Sequence, residues 1–145
     1  MEKDYKSIKK EDLENLAKDI SLLVEDFFKK NNRACIIFLN GDLGAGKTTF
    51  TKEFAKTLEI EEDIISPTFI LRKDYKNMIH VDGYRFEKEE EGKSLELDQE
   101  LKEAGKVIVI EWPERFVEAV DIRPDISIDF EVVSPEERNV FVETH

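Results

Sequence analysis

A three-layer α/β sandwich, with a mixed and partly antiparallel central sheet flanked by helices, is the fold this sequence predicts. Three observations carry that expectation. Cys35-Ile36-Ile37-Phe38-Leu39 is a short apolar run, a glycine-rich octet follows it, and residues 47–58 then place Phe50, Phe54, Ala55 and Leu58 at helical spacing. Val107-Ile108-Val109-Ile110 is the most apolar run in the chain, as a strand buried on both faces requires. Two further pairs of short runs are joined by tight polar turns, which makes part of the sheet antiparallel.

From the N-terminus, Leu13, Leu16, Ala17, Ile20, Leu23, Val24 and Phe27 recur at helical spacing. They predict an amphipathic helix over residues 11–30, ended by Asn31-Asn32. The strand at 35–39 and the helix at 47–58 come next. Ser66-Pro67-Thr68 opens a second region, in which 69–75 and 78–82 read as strands joined by a Lys76-Asn77 turn. Residues 87–104 are polar and helical in part, with Asp98 as an N-cap and Gly105 as the stop. Pro113 after the central strand suits the first turn of a short helix over 114–120. The tail forms a second hairpin, 126–133 and 139–143, around Ser134-Pro135-Glu136-Glu137.

No repeat, low-complexity tract or linker interrupts the 145 residues, so one domain over 1–145 is expected. No apolar run is long enough to cross a membrane, and residues 1–10 lack a secretory apolar core. One cysteine, Cys35, sits in an apolar strand as a small core residue, which fits a reduced, cytoplasmic setting. The formal charge of −12 repels a phosphate backbone, so nucleic acid would reach this chain only through a partner. The densest acidic stretch, Glu87-Lys88-Glu89-Glu90-Glu91, reads as a solvated face, with docking of a basic partner as the alternative.

The octet Gly41-Asp42-Leu43-Gly44-Ala45-Gly46-Lys47-Thr48 has Gly, four free positions, then Gly-Lys-Thr, which is the pattern of the P-loop NTPase fold. Its glycines let backbone N–H groups turn toward phosphate oxygens, and the following helix aims its positive end at the same anion. Asp42, Leu43, Gly44, Ala45, Gly46, Lys47, Thr48 and Thr49 are therefore the candidate nucleotide contacts. Lys47 would reach the β- and γ-phosphates as a catalytic cation, and the Thr48 hydroxyl would bind Mg²⁺.

Phosphoryl transfer also needs a metal-holding carboxylate and a group that orients water. Such groups lie at the carboxyl ends of central strands, where Asp82 and Glu111 stand. Asp82 is assigned a direct or water-mediated Mg²⁺ contact; Glu111 would polarise the attacking water or bind a metal water. Thr68 would sense a γ-phosphate from a loop stiffened by Pro67, or else simply precede a strand. Trp112 would stack near the nucleotide, anchor a partner or pack at the sheet end. His80 would orient Asp82 or fill a half-buried strand position, and Arg85 is the arginine best placed near the site, with a surface ion pair as the other reading.

These residues resemble the TsaE family. Gly41-Asp-Leu-Gly-Ala-Gly-Lys-Thr-Thr49, Ser66-Pro-Thr68, His80-x-Asp82-x-Tyr84-Arg85 and Glu111-Trp112-Pro113 stand in that family's order and spacing, over residues 10–143. The resemblance implies a small bacterial P-loop ATPase of tRNA threonylcarbamoyladenosine biosynthesis, working with TsaD and TsaB and reaching tRNA through them. It implies ATP and ADP at the loop, Mg²⁺ at Thr48 and Asp82, a need for Glu111 in hydrolysis, and Trp112 near the nucleotide. Gly83 departs from the family, where a larger apolar residue is frequent.

Two other functions compete. A small-molecule kinase needs a second anion pocket and a basic lid, whereas Arg33, Arg72, Arg85, Arg115, Arg123 and Arg138 are scattered. A non-catalytic module would use nucleotide only to gate partner binding. ATP is favoured over GTP because no Asn/Thr-Lys-x-Asp guanine signature occurs.

Overall fold

The computed structural model describes residues 1–65 and 71–145. Its seven-stranded sheet has the order β1-β7-β6-β2-β5-β4-β3. The strands are β1 (Glu2–Ile8), β2 (Cys35–Asn40), β3 (Arg72–Tyr75), β4 (Met78–Asp82), β5 (Val107–Glu111), β6 (Ile126–Ser134) and β7 (Glu137–Thr144). The inner strands β6, β2, β5 and β4 run parallel, and β3, β7 and β1 join antiparallel. The mixed sheet expected from the two hairpins is therefore present.

Alternation along the strands sorts the side chains into two cores, because successive residues face opposite sides. Cys35, Ile37, Leu39, Met78, Val107 and Val109 pack with helices α1 (Leu13–Lys30) and α2 (Lys47–Thr57). Ile36, Phe38, Ile79, Val81, Ile108 and Ile110 pack on the opposite face with Phe86, Leu95, Phe116 and Ile122. That second layer is thin. Among the described residues it includes a 3-10 helix at Glu89–Leu95, 3-10 turns at Glu100–Lys102 and Pro113–Arg115, and the four-residue α3 (Val117–Val120).

Two expectations need correction, the roles of Asp98 and Gly105. Residues 87–104 are helical in part, as expected, in two 3-10 helices, but Asp98 caps neither: the second, Glu100–Lys102, starts after Gln99. Gly105 does not stop a helix; its φ of +83° serves the turn into β5. Residues 2–8, for which no element was expected, supply the edge strand β1 against β7. Both faces of β1 are largely solvated, so it carries no apolar alternation for the sequence to reveal. The first hairpin strand begins at Arg72, while the expected start at 69 lies outside the described residues. Glu91 Oε2 accepts the N–H groups of Glu87 and Lys88 at 2.7 and 3.1 Å, so this acidic run caps its own 3-10 helix.

Candidate functional site

The loop between β2 and α2 rests on backbone that favours glycine. Gly41 has φ +148°, and a Cβ there would lie 2.8 Å from the Phe130 carbonyl oxygen of β6. Gly46 takes φ +107° where the loop turns into α2. The Phe50 N–H donates to the Gly46 carbonyl at 2.8 Å, and among the described residues no side chain caps the amides before it. Those first-turn amides and the positive end of an 11-residue helix face the space inside the loop, where an anion is favoured.

Lys47 is buried at the same place. Its ammonium donates to the Gly41 carbonyl and sits 4.2 Å from the Trp112 ring centroid. Burial lowers its pKa, while the negative charges of Glu111, Asp82, Glu114 and Asp42 act in the opposite sense. A cation so held gains from any anion that enters the loop.

Sheet register brings the acids to this point. Asp82 and Glu111 are paired across β4 and β5 at the carboxyl ends of both strands. Counting by twos from Met78 and Val107 puts His80, Asp82 and Glu111 on the α2 face. The Thr48 hydroxyl, in the first turn of α2, donates to Glu111 Oε2 at 3.4 Å. His80 Nε2 lies 2.6 Å from that same oxygen. Asp82 Oδ1 accepts the Tyr84 N–H at 2.9 Å. His80, Asp82 and Glu111 are 0%, 4% and 4% exposed, so these polar groups answer chiefly to one another and to whatever enters the loop.

Lys47, Thr48, Asp82, Glu111 and Trp112 are thus gathered at one end of the sheet. Asp42, Leu43 and Gly44 form the exposed crest of the loop, Ala45 is buried, and Gly46 and Thr49 are half-buried. Thr68, with Ser66 and Pro67, lies outside the described residues. Arg85 is exposed. His80 addresses Glu111 on the neighbouring strand rather than Asp82 on its own, since Asp82 two residues on points the same way from the same backbone.

Arg115 and Arg138 reach the site although sequence reasoning assigned them no role there. The Tyr84 and Trp112 rings lie 5.1 Å apart, and the Arg115 guanidinium is 5.5 Å from the Trp112 centroid. Arg138 of β7 donates to the Gly44 and Ala45 carbonyls, both at 3.0 Å. A cleft of about 410 Å³ opens on that flank, between Gly44–Gly46 and Thr49, residues 8–11, and Pro135, Glu136 and Arg138. Gly83 is fixed by packing: a Cβ would lie 2.7 Å from the Trp112 carbonyl oxygen and 2.8 Å from the Phe116 ring.

The family model described as threonylcarbamoyl adenosine biosynthesis protein TsaE matches residues 8–140. This chain belongs to the TsaE family. A Bacillus subtilis protein named tRNA threonylcarbamoyladenosine biosynthesis protein TsaE is 42% identical over 99 residues, covering 66% of this chain. The TsaE protein of Rickettsia felis is 37% identical over 130 residues, 86% of this chain and 72% of that protein. The match spans 59% of the length of the Bacillus subtilis relative. The crystal structure of Bacillus subtilis YdiB superposes with a TM-score of 0.71 at 25% identity, over 99% of this chain and 86% of that one. Against this TsaE background the glycine loop and the paired strand-end acids are the features to explain chemically. Among the described residues, no helix is long and apolar enough to cross a membrane.

Proposed function

We propose that this chain binds ATP with Mg²⁺ in the loop from Gly41 to Thr49 and hydrolyses it to ADP and phosphate. In this reading it serves tRNA threonylcarbamoyladenosine modification together with TsaD and TsaB. One observation carries it: the Thr48 hydroxyl and the His80 imidazole both meet Glu111 Oε2, beside the glycine loop that opens helix α2.

The loop amides and Lys47 take the β- and γ-phosphates, and the cleft beside Gly44 and Thr49 has room for the adenosine. The donor set fits a hard divalent ion, since Mg²⁺ favours one or two carboxylates, a hydroxyl, phosphate oxygens and retained water. Thr48, Asp82 and Glu111 would hold it, and it would neutralise charge building on the transferred phosphoryl group. Glu111 accepts a proton from, or orients, the attacking water. His80 donates Nε2–H to Glu111 and fixes which carboxylate oxygen faces the loop. Trp112 covers Lys47 and limits water there.

A net charge of −12 supports tRNA contact through partners rather than directly. Arg33 and Arg72 are held by Asp125, Asp74 and Glu100, which argues against a mobile basic lid of the kinase type. The test is phosphate release from ATP with and without TsaD and TsaB, alongside tRNA modification. Release without any acceptor, with modification lost when this chain is omitted, is the expected result. Phosphorylation of a supplied acceptor, or no nucleotide binding, overturns the reading.

A further inference from the structure

Arg138 lies far from the phosphate loop in sequence, yet its guanidinium is fully engaged there. Nε donates to the Ala45 carbonyl at 3.0 Å and Nη2 to the Gly44 carbonyl at 3.0 Å. Nη1 turns the other way, to the Ser134 and Glu137 carbonyls of the β6–β7 hairpin at 2.8 and 2.9 Å. All these acceptors are backbone carbonyls, and no carboxylate forms a salt bridge with Arg138 among the described residues.

In a trans peptide the N–H points opposite to the C=O. A grip on the Gly44 and Ala45 carbonyls therefore turns the N–H groups of Ala45 and Gly46 to the other side of the loop. The Ala45 N–H is spent on the Asp42 carbonyl at 3.1 Å, closing the turn. That leaves the Gly46 N–H aimed inward with the first amides of α2. Gly44 and Gly46 resist none of this themselves, having the widest choice of backbone angles. Something else must hold the curl, and a planar fork on two successive carbonyls is suited to it.

From this geometry we infer that Arg138 is a positioning residue that pre-sets the phosphate loop and ties it to the β6–β7 hairpin. The inference rests on the nucleotide-binding reading for its functional consequence, but not for the grip. Losing the fork leaves the loop free to sample other curls, and ordering it again is charged against each binding event. An Arg138→Met variant is expected to bind ADP and ATP about tenfold more weakly. Arg138→Lys, with one compact donor group, should recover part of the loss.

The experiment measures amide hydrogen exchange at Ala45 and Gly46 in the ligand-free full chain, and ADP and ATP binding by calorimetry, for wild type and both variants. Faster exchange at Ala45, whose N–H is bonded to the Asp42 carbonyl, in Arg138→Met, with the unbonded Gly46 amide as the unprotected reference, partial recovery in Arg138→Lys and a parallel order of affinities, is expected. Unchanged exchange at Ala45 overturns the inference, as does unchanged affinity beside a lowered melting temperature, because a plain hairpin staple would give that pattern. Wild-type protein that binds neither nucleotide sinks the functional reading, while the exchange rates still decide whether Arg138 sets the loop.

Discussion

His80 Nε2 lies 2.6 Å from Glu111 Oε2, and both side chains are buried where two parallel strands end beside the phosphate loop. A buried carboxylate left without a donor costs free energy, so this contact both pays for burial and aims the oxygen. Thr48 donates to the same oxygen at 3.4 Å, which makes Glu111 the meeting point of loop, helix and sheet.

Glu111→Gln keeps the shape and removes the basic carboxylate. Hydrolysis is expected to slow about 100-fold while ATP affinity stays within a few-fold of wild type. Single-turnover phosphate release and calorimetry read the two quantities separately. Unchanged turnover would remove Glu111 from the water-orienting role.

His80→Ala leaves the Glu111 carboxylate buried and short of its closest donor. The fold should lose about 1–3 kcal/mol by denaturant melting, and turnover should fall about tenfold more than nucleotide affinity does. His80→Gln, whose Nε2 can still donate from about the same point as the imidazole Nε2, should recover part of both. Equal loss in the two variants would show that the imidazole fills space without directing Glu111.

Much of this arrangement was legible in the sequence because it depends on local rules. The octet fixes the loop, and strand-end placement finds Asp82 and Glu111, since alternation along β4 and β5 decides which face they take. What escaped depends on pairing between distant segments. The role of His80 follows from the side-by-side register of β4 and β5, and Arg138 reaches the loop only because β7 lies two strands from β2. The edge strand β1 gave no signal, because all but Tyr5 and Ile8 of its residues are exposed and its pairing with β7 is a matter of backbone. The helical part of 87–104 took the 3-10 form, whose apolar residues Leu95 and Leu101 serve a thin layer rather than a stripe.

Gly83→Ala places a methyl group 2.7 Å from the Trp112 carbonyl oxygen and 2.8 Å from the Phe116 ring. Overpacking of this kind is expected to cost about 1–3 kcal/mol. Trp112 is the sole tryptophan, so its fluorescence should shift along with the melting temperature. A variant that matches wild type in both measurements would mean that the segment relaxes without strain.

Burial pushes the Cys35 thiol up to about 12 from an ordinary 9.0; the Asp125 charge adds to the rise and Arg33 opposes it. A raised folded pKa contributes stability that is complete below the unfolded value and is lost as pH climbs through the folded one. Melting temperature should therefore fall between about pH 9 and 12 more steeply in wild type than in Cys35→Ala. Native protein should also resist alkylation at pH 8 and react once denaturant is added. Rapid alkylation of the native protein would contradict the buried, protonated thiol.

Lys47 tests function and stability in opposite directions. Its buried ammonium is held below the ordinary 10.5, so at neutral pH the charged form weighs against the ligand-free fold. The unfolded chain binds that proton more tightly, and the penalty fades as pH rises from the folded pKa through 10.5. Lys47→Met is accordingly expected to melt higher than wild type at pH 7, with the gap narrowing toward pH 10.5. In the ATP-binding reading the same change removes the charge that would meet the phosphates, so ATP affinity should fall at least about tenfold. Thermal melts across pH and calorimetry with ATP decide both halves. A variant that melts lower than wild type at pH 7 would show that the Gly41 and Trp112 contacts outweigh desolvation, and one that binds ATP normally would remove Lys47 from the phosphate site.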